Sequence, residues 1–144
     1  MKCRIFIDKN REEEVQIFVH ERNALSEKIK ELCQNDGLEI FGKKDRTTYR
    51  INMQEVVCFV SENNKVFAVT DMEKYEIDKR IYELEAECPE TFVKINQSCI
   101  ANISKIKSFD AKISGTLLVN FKNGYCDYVS RRQLKNVKER LLGK

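Results

Sequence analysis

The stretch F-V-K-I-N-Q-S-C-I-A-N, residues 92–102, decides the fold of this chain. It begins as a β-strand, because apolar side chains recur from Phe92 to Ile95. Three uncharged polar side chains then interrupt the pattern, and an apolar run resumes at Cys99. Asn and Ser favour turns, whereas neutral amides can also pair with adenine. The stretch therefore predicts a strand followed by a polar corner that either closes a turn or reads a base.

The residues after this corner predict a β-hairpin. Two apolar runs flank Asn123-Gly124, a dipeptide typical of a two-residue type I′ turn. Such a turn would place Phe121 opposite Cys126 and Val119 opposite Tyr128. We therefore expect one apolar face on this hairpin.

A short helix is predicted to end the chain. Ser130 and Gln133 have the spacing of a capping box, and apolar residues follow at helical spacing, namely Leu134, Val137 and Leu141. Arg131 and Arg132 would then lie in the first helical turn, where the helix dipole disfavours cations. Guanidinium groups at a helix N-terminus suit a phosphate or a guanine edge, although ordinary exposed arginines would look the same in sequence. Two further cations extend this basic surface, Lys135 and Lys138.

Upstream of residue 92 the sequence predicts more strands and one helix. The predicted strands are Thr47–Ile51, Val56–Val60 and Val66–Val69, with a hairpin loop at residues 61–65. Apolar residues at helical spacing then predict an amphipathic helix that Pro89 ends, and they are Ile77, Ile81, Leu84 and Cys88.

The first 37 residues predict a strand, a second strand and a helix. Lys2–Asp8 and Glu14–Glu21 alternate apolar and polar side chains, with a turn between them at residues 9–13. From Asn23 the period becomes helical, and Asp36-Gly37 would close the helix. The apolar stripe of that helix consists of Leu25, Ile29, Leu32 and Cys33.

Composition narrows the class of protein. A chain of 144 residues can bury a proper core, and it contains neither a signal peptide nor an apolar segment long enough to span a membrane, so we expect a cytoplasmic protein. The six cysteines lack C-x-x-C spacing and there is one histidine, which argues against metal and favours reduced, buried thiols. No nucleophile motif or phosphate loop occurs, so we expect neither an enzyme, a cofactor nor a small-molecule substrate.

Charge is unevenly distributed along the chain. Residues 91–144 carry 11 Lys and Arg against 3 Asp and Glu, whereas residues 38–90 carry 8 against 12. A basic third of this kind favours a polyanionic partner such as nucleic acid or an anionic membrane surface, and the alternative is a solvated basic face without a ligand.

Three segments together resemble a known family. They are F-V-K-I-N-Q-S-C-I-A-N-I-S-K-I-K-S, L-L-V-N-F-K-N-G and V-S-R-R-Q-L-K-N-V-K. Their order and spacing resemble the LytTR-type DNA-binding domain of bacterial transcription regulators over about residues 41–142. Four positions carry residues that are unusual in that family, namely Lys94, Asn96, Gln97 and Ala101. The residues that match are Ser98, Asn102, Ile106, Gly124, Ser130 and Arg131.

The resemblance implies a fold class and a domain division. The fold would be mainly β, an elongated antiparallel LytTR-like fold with short helices, preceded by the small strand-strand-helix segment. Residues 41–144 would form the DNA-binding domain, and residues 1–37 would complete its core or join subunits. Many members carry an N-terminal receiver domain of ~120 residues, for which 37 residues are too few, so the chain resembles a stand-alone member.

The resemblance also implies a function. The chain would be a sequence-specific transcription regulator that reads double-stranded DNA through loops and a basic helix end, as a homodimer. A small membrane protein is implied as a regulatory partner. The residues implied to contact DNA are Asn63, Asn64, Lys65, Lys94, Asn96, Gln97, Ser98, Asn102, Ser130, Arg131, Arg132 and Lys135.

Two other functions remain open at the level of sequence. The chain could be a protein-interaction module of the same fold with weak or no DNA binding. RNA binding is the third alternative, and the shortage of clustered exposed aromatic residues argues against it.

Overall fold

A computed structural model describes residues 2–35 and 38–142, and within them the chain is mainly antiparallel β. The helices are α1 Ala24–Asn35, α2 Ile81–Glu87 and α3 Leu134–Leu142. The strands of the larger sheet are β1 Glu39–Lys44, β2 Thr47–Asn52, β3 Cys58–Glu62, β4 Lys65–Val69, β5 Lys74–Ile77, β6 Phe92–Asn96 and β7 Cys99–Asn102. Those of the smaller sheet are β8 Ile106–Ala111, β9 Leu117–Phe121 and β10 Cys126–Val129.

The interior strand β3 is buried on both faces of the larger sheet, whose strand order is β2-β1-β5-β4-β3-β7-β6. Phe59 belongs to a cluster that contains Leu84 of α2. Cys58 and Val60 belong to a second cluster, which includes Val119 of the smaller sheet and Val137 of α3. Because side chains alternate along a strand, the apolar run that predicted β3 fills two cores at once.

The predicted strands of the middle of the chain are present as β2, β3 and β4, with small shifts at their ends. Four strands were not predicted as strands, namely β1, β5, β7 and β8, although the apolar run noted from Cys99 lies in β7. The predicted helix begins later than expected, because Ile77 ends β5 and α2 starts at Ile81. Ile77, Ile81 and Leu84 are all buried in the first cluster, so their spacing reflects a shared core and not one continuous helix. None of the helices within the described residues has the length and apolar character needed to cross a membrane.

The predicted register of the β9–β10 hairpin is wrong by one residue. Val119 pairs with Asp127, and Tyr128 pairs with Leu118. Only Gly124 of the turn dipeptide has a positive φ, of 91°, and its N–H donates to the carbonyl of Phe121 over 3.0 Å. This is a three-residue loop that ends in a glycine bulge, not a type I′ turn.

The N-terminal segment contains the predicted helix but not the predicted strands. Among the described residues, 2–8 and 12–19 contain no helix, turn or bend and join neither sheet, and a turn lies at residues 9–11. Helix α1 begins after Asn23, whose Oδ1 accepts from the N–H of Ser26 over 2.8 Å. Its predicted closing residues, Asp36-Gly37, lie outside the described residues.

The six cysteines are free, and the prediction that they are buried holds for only part of them. Cys58 and Cys99 are buried, Cys88 is half-buried, and the exposed ones are Cys3, Cys33 and Cys126. Burial raises the pKa of Cys88 to about 12. Contact with Cys58, together with burial, raises the pKa of Cys99. Cys88 and Cys99 therefore remain neutral thiols near pH 7, as small apolar side chains do in a core.

Gly42 in β1 allows two aromatic side chains to pack across the sheet. It pairs with Tyr49, whose ring centroid lies 5.3 Å from that of Tyr75. A Cβ atom at Gly42 would lie 2.6 Å from Tyr75 Cβ and 2.6 Å from Ile51 Cδ1. A methyl group does not fit there unless the strands shift.

We expect Gly42→Ala to lower the free energy of unfolding by about 1–3 kcal/mol, because added atoms force neighbouring groups out of place. Urea denaturation measures the change. The matched control is Lys43→Ala, one residue along the same strand and exposed, which should shift the free energy of unfolding by less than about 0.5 kcal/mol. Equal effects of the two substitutions would contradict the packing argument.

Candidate nucleic-acid interface

Three turns meet at one end of the sheets, which we call the three-turn edge. They are Asn63-Asn64 between β3 and β4, Gln97-Ser98 between β6 and β7, and residues 131–133 between β10 and α3. The N–H of Ser61 donates to the carbonyl of Ser98 over 2.8 Å. The N–H of Ser130 donates to the carbonyl of Ile95 over 2.9 Å. Because these bonds join the ends of neighbouring strands, the three turns lie side by side.

The turn between β3 and β4 is formed by two exposed asparagines. Asn63 and Asn64 have φ values of 50° and 63°, which suit a type I′ turn and which Asn tolerates better than most residues. Lys65 follows at the start of β4, with its Nζ 3.9 Å from Glu76 Oε1 and 60% of its side chain exposed. An ion pair that is so exposed leaves the ammonium group accessible to another anion.

The side chain of Asn96 is bonded within the corner and stabilises it, and it does not project from the surface. Its Oδ1 accepts from the N–H of Ser98 over 2.8 Å, and its Nδ2 donates to the carbonyl of Tyr128 over 2.8 Å. Both polar ends of the amide are therefore engaged within the chain. Of the two roles predicted for the polar corner, closing a turn or reading a base, Asn96 has the first. Gln97 and Ser98 are the exposed residues of this turn.

The two arginines lie in the turn that precedes α3 and not in its first helical turn. The N–H of Gln133 donates to the carbonyl of Ser130 over 3.0 Å, so a backbone turn stands where the capping box was predicted. Helix α3 starts at Leu134, and buried Val137 anchors it against the second cluster. Arg131 and Arg132 are exposed beside the Gln97 corner.

Several cations of this edge have no carboxylate partner. Over residues 2–35 and 38–142, no ion pair involves Arg131, Arg132 or Lys135, and all three are exposed. Their charges are therefore available to an external anion. Lys138 is exposed further along α3.

A fourth loop at the same end was missed in the sequence. Ala111 pairs with Leu117, which pairs with Val129, so the loop of residues 112–116 leaves the smaller sheet next to Ser130. Lys112 is exposed in this loop. The sequence signal for the loop was Gly115, which has a φ of 85°.

Two residues implied to contact DNA lie elsewhere. Lys94 is 21% exposed, and its Nζ is 3.2 Å from Glu85 Oε2 of α2. Asn102 is 2% exposed, which contradicts a direct contact with DNA. Its Nδ2 donates to the carbonyl of Val56 over 2.8 Å, and its Oδ1 accepts from the N–H of Ser104 over 3.1 Å. Asn102 therefore holds β7 against the start of β3.

We expect Asn102→Ala to destabilise the protein by about 1–3 kcal/mol, because a buried carbonyl loses its donor. Asn52→Ala is the matched control. Asn52 Oδ1 accepts from the N–H of Gln54 over 2.9 Å in a similar cap that is exposed, so its loss should cost about 1 kcal/mol or less. Thermal unfolding compares the two variants. An unchanged Tm in Asn102→Ala would contradict its assignment as a buried tie.

This chain is similar in sequence to known proteins. The model of the LytTr DNA-binding domain family matches residues 46–142. Two proteins of Staphylococcus aureus, from strains NCTC 8325 / PS 47 and MSSA476, are described as uncharacterized HTH-type transcriptional regulators. They are 32% and 31% identical to this chain over 146 residues, which cover 98% of this chain and 98% of each relative.

A solved structure shares the fold. A LytTr DNA-binding domain from Bacillus cereus superposes with a TM-score of 0.69 and 20% identity, covering 74% of this chain and 97% of that domain. The structural likeness supports the antiparallel fold, and the family match extends over two thirds of the sequence. This chain belongs to the LytTr DNA-binding domain family.

Proposed function

We propose that this protein is a sequence-specific transcription regulator that reads double-stranded DNA through the three-turn edge. The observation that carries the proposal is the convergence of the three turns with exposed, unpaired cations, Arg131, Arg132 and Lys135. Turns two or three residues long at strand ends project from the molecule, so their side chains can enter a groove. Cations beside them can contact the phosphates that flank it.

The side chains divide into those suited to bases and those suited to phosphates. Arg132 offers a rigid fork for guanine O6 and N7, and Gln97 can do the same for adenine N6 and N7. Lys135 and Lys138 lie along α3 and suit phosphates, which carry no sequence information. Asn63, Asn64 and Lys65 supply further contacts from the first turn, whereas Ser98 and Ser130 hold the turns together through their backbones.

The proposed mode of reading uses loops and not a helix-turn-helix. Helices α2 and α3 are each preceded by a strand rather than by another helix. The outer flank of α3 carries lysines, while its Val137 side is packed into the second cluster. In this arrangement α3 supports the reading turns and does not itself enter the groove.

The biological setting is part of the proposal. Residues 41–144 act as the DNA-binding domain in the cytoplasm, where bacterial DNA is accessible, and a homodimer binds two half-sites. A small membrane protein as regulator follows from the family resemblance alone. The second candidate function, a protein-interaction module with weak DNA binding, makes the opposite prediction in both experiments below.

We expect binding to duplex DNA to weaken steeply with salt. If about 6 phosphates are neutralised, the slope of log K against log salt concentration should be near −5. Fluorescence anisotropy with a labelled random duplex between 50 and 200 mM salt, about the range over which counterion release dominates, measures it. Affinity that does not change with salt, or no binding at all, would favour the interaction module.

We expect Arg132→Ala and Gln97→Ala to relax preference at one or two base pairs each, a loss of about 1–3 kcal/mol of discrimination. Lys135→Ala should instead weaken all sequences equally and reduce the salt slope by about one unit. Selection from a random duplex library followed by sequencing measures the preference of each variant.

The matched control for this series is Lys107→Ala, an exposed lysine on β8 outside the three-turn edge. It should leave both the ranking of sequences and the salt slope unchanged. The assignment of Arg132 as a base-reading residue is wrong if Arg132→Ala binds all operator variants in the same rank order, with the same spacing of affinities, as the unaltered protein.

A further inference from the structure

The N-terminal arm, residues 2–19, exposes apolar side chains that no other part of the described structure covers. Ile5, Phe6 and Ile7 are 86%, 84% and 90% exposed, and Phe18 is 89% exposed. Residues 2–8 and 12–19 run without a helix, turn or bend, yet over the described residues neither segment joins a sheet. Extended backbone with unpaired N–H and C=O groups and exposed apolar side chains is a template for pairing with another strand.

The turn within the arm prevents its two segments from pairing with each other in a favourable register. The N–H of Arg11 donates to the carbonyl of Asp8 over 3.5 Å, and Asp8 Oδ1 accepts from the N–H of Asn10 over 3.0 Å. A hairpin continued from this turn would place Ile5 opposite Glu14 and Arg4 opposite Val15. Apolar and charged side chains would then share each face, because a shift of one residue reverses the faces of a strand.

Charge indicates what pairs with the arm instead. Residues 2–11 carry four basic side chains and one acidic one, whereas residues 12–21 carry four glutamates and no Lys or Arg. DNA and an anionic membrane would both be repelled by the acidic half. A second copy of this chain offers an acidic segment to the basic one and a basic segment to the acidic one, so a two-fold pair satisfies both halves at once.

The acidic half also contributes to an open groove that is apolar along one side. Val15, Ile17 and Val19 form the apolar side of this groove of about 420 Å³. The rest of its lining comes from Arg22, Ser26, Glu27, Lys30 and Cys33. Ile17 and Val19 are 38% and 39% exposed, so α1 covers them only in part. The groove can receive the apolar side chains at residues 5–7 of a second copy.

We infer that the arm is the dimerisation element, in which residues 2–8 of one copy pair with residues 12–19 of the other. This inference rests on the homodimer of the proposed function, to which it assigns an interface, and on no other part of that function. Dimerisation is measured without DNA, so its failure leaves DNA binding by the three-turn edge untouched.

The test uses two variants of the full chain with opposite charge changes. In the first, Lys2→Glu and Arg4→Glu make both halves of the arm acidic, and in the second, Glu12→Lys, Glu13→Lys and Glu14→Lys make both basic. All five side chains are exposed, so folding should be unchanged by circular dichroism. Sedimentation velocity should find the unaltered protein dimeric and each variant dissociated, with a dimer constant at least about tenfold weaker, because like charges then face each other.

Mixing the two variants gives the decisive result. Each variant then supplies the charge that the other lacks, so an equimolar mixture should form a heterodimer, which native mass spectrometry detects by its mass. The control pair Lys43→Glu and Lys107→Glu makes the same charge change outside the arm and should leave the dimer intact. A monomeric unaltered protein at roughly 50 µM, or a mixture that stays monomeric, overturns the inference.

A second pair of variants tests the apolar contribution. Phe6→Ser should weaken the dimer about tenfold or more, because it removes an aromatic side chain from the interface. Met72→Ser changes a side chain that is similarly exposed, at 89%, but lies outside the arm, and it should have no effect. Equal effects of the two substitutions would contradict the assigned interface.

Discussion

The hydrogen bonds between the ends of β6 and β10 are the contacts on which the three-turn edge depends. Ser130 donates its N–H to the carbonyl of Ile95, and the amide of Asn96 donates to the carbonyl of Tyr128. These two bonds connect the two sheets at the point where the chain turns into α3. They also cover the outer edge of β6, which would otherwise present unpaired backbone groups. Without them, Arg131 and Arg132 would not lie beside Gln97.

Much of the fold could be predicted from the sequence, because continuous apolar runs and turn residues mark most strands of the domain. The register of the last hairpin could not, since Asn-Gly suits both a two-residue and a three-residue loop. The rings of Phe121 and Tyr125 pack with centroids 5.9 Å apart in the longer loop, a contact between residues that the pattern alone does not pair. Strand β1 was missed because charged residues at both ends leave only a short apolar segment, Ile40 and Phe41.

The candidate interface was predictable as a region but not residue by residue. Local charge identified Arg131, Arg132 and Lys135, since a run of cations is visible without a structure. Asparagine is ambiguous, because its amide can bind a base, cap a turn or satisfy a buried carbonyl. Asn96 and Asn102 cap turns and donate to backbone carbonyls. The carbonyl that Asn96 binds belongs to Tyr128, 32 residues away in the chain, and the one that Asn102 binds belongs to Val56, 46 residues away. Contacts at such separations are set by the tertiary fold.

The shortness of the turns has a consequence for how the specificity of such a protein can change. Turns this short, closed by backbone hydrogen bonds, lose little conformational entropy when a ligand orders them, so they are preorganised for binding. Within residues 2–35 and 38–142, the bonds that fix the Gln97 corner come from the backbone and from Asn96, and none comes from the side chain of Gln97 itself. A substitution at Gln97 can therefore alter the sequence that is preferred without altering the scaffold. Recognition can diverge between relatives while the architecture persists.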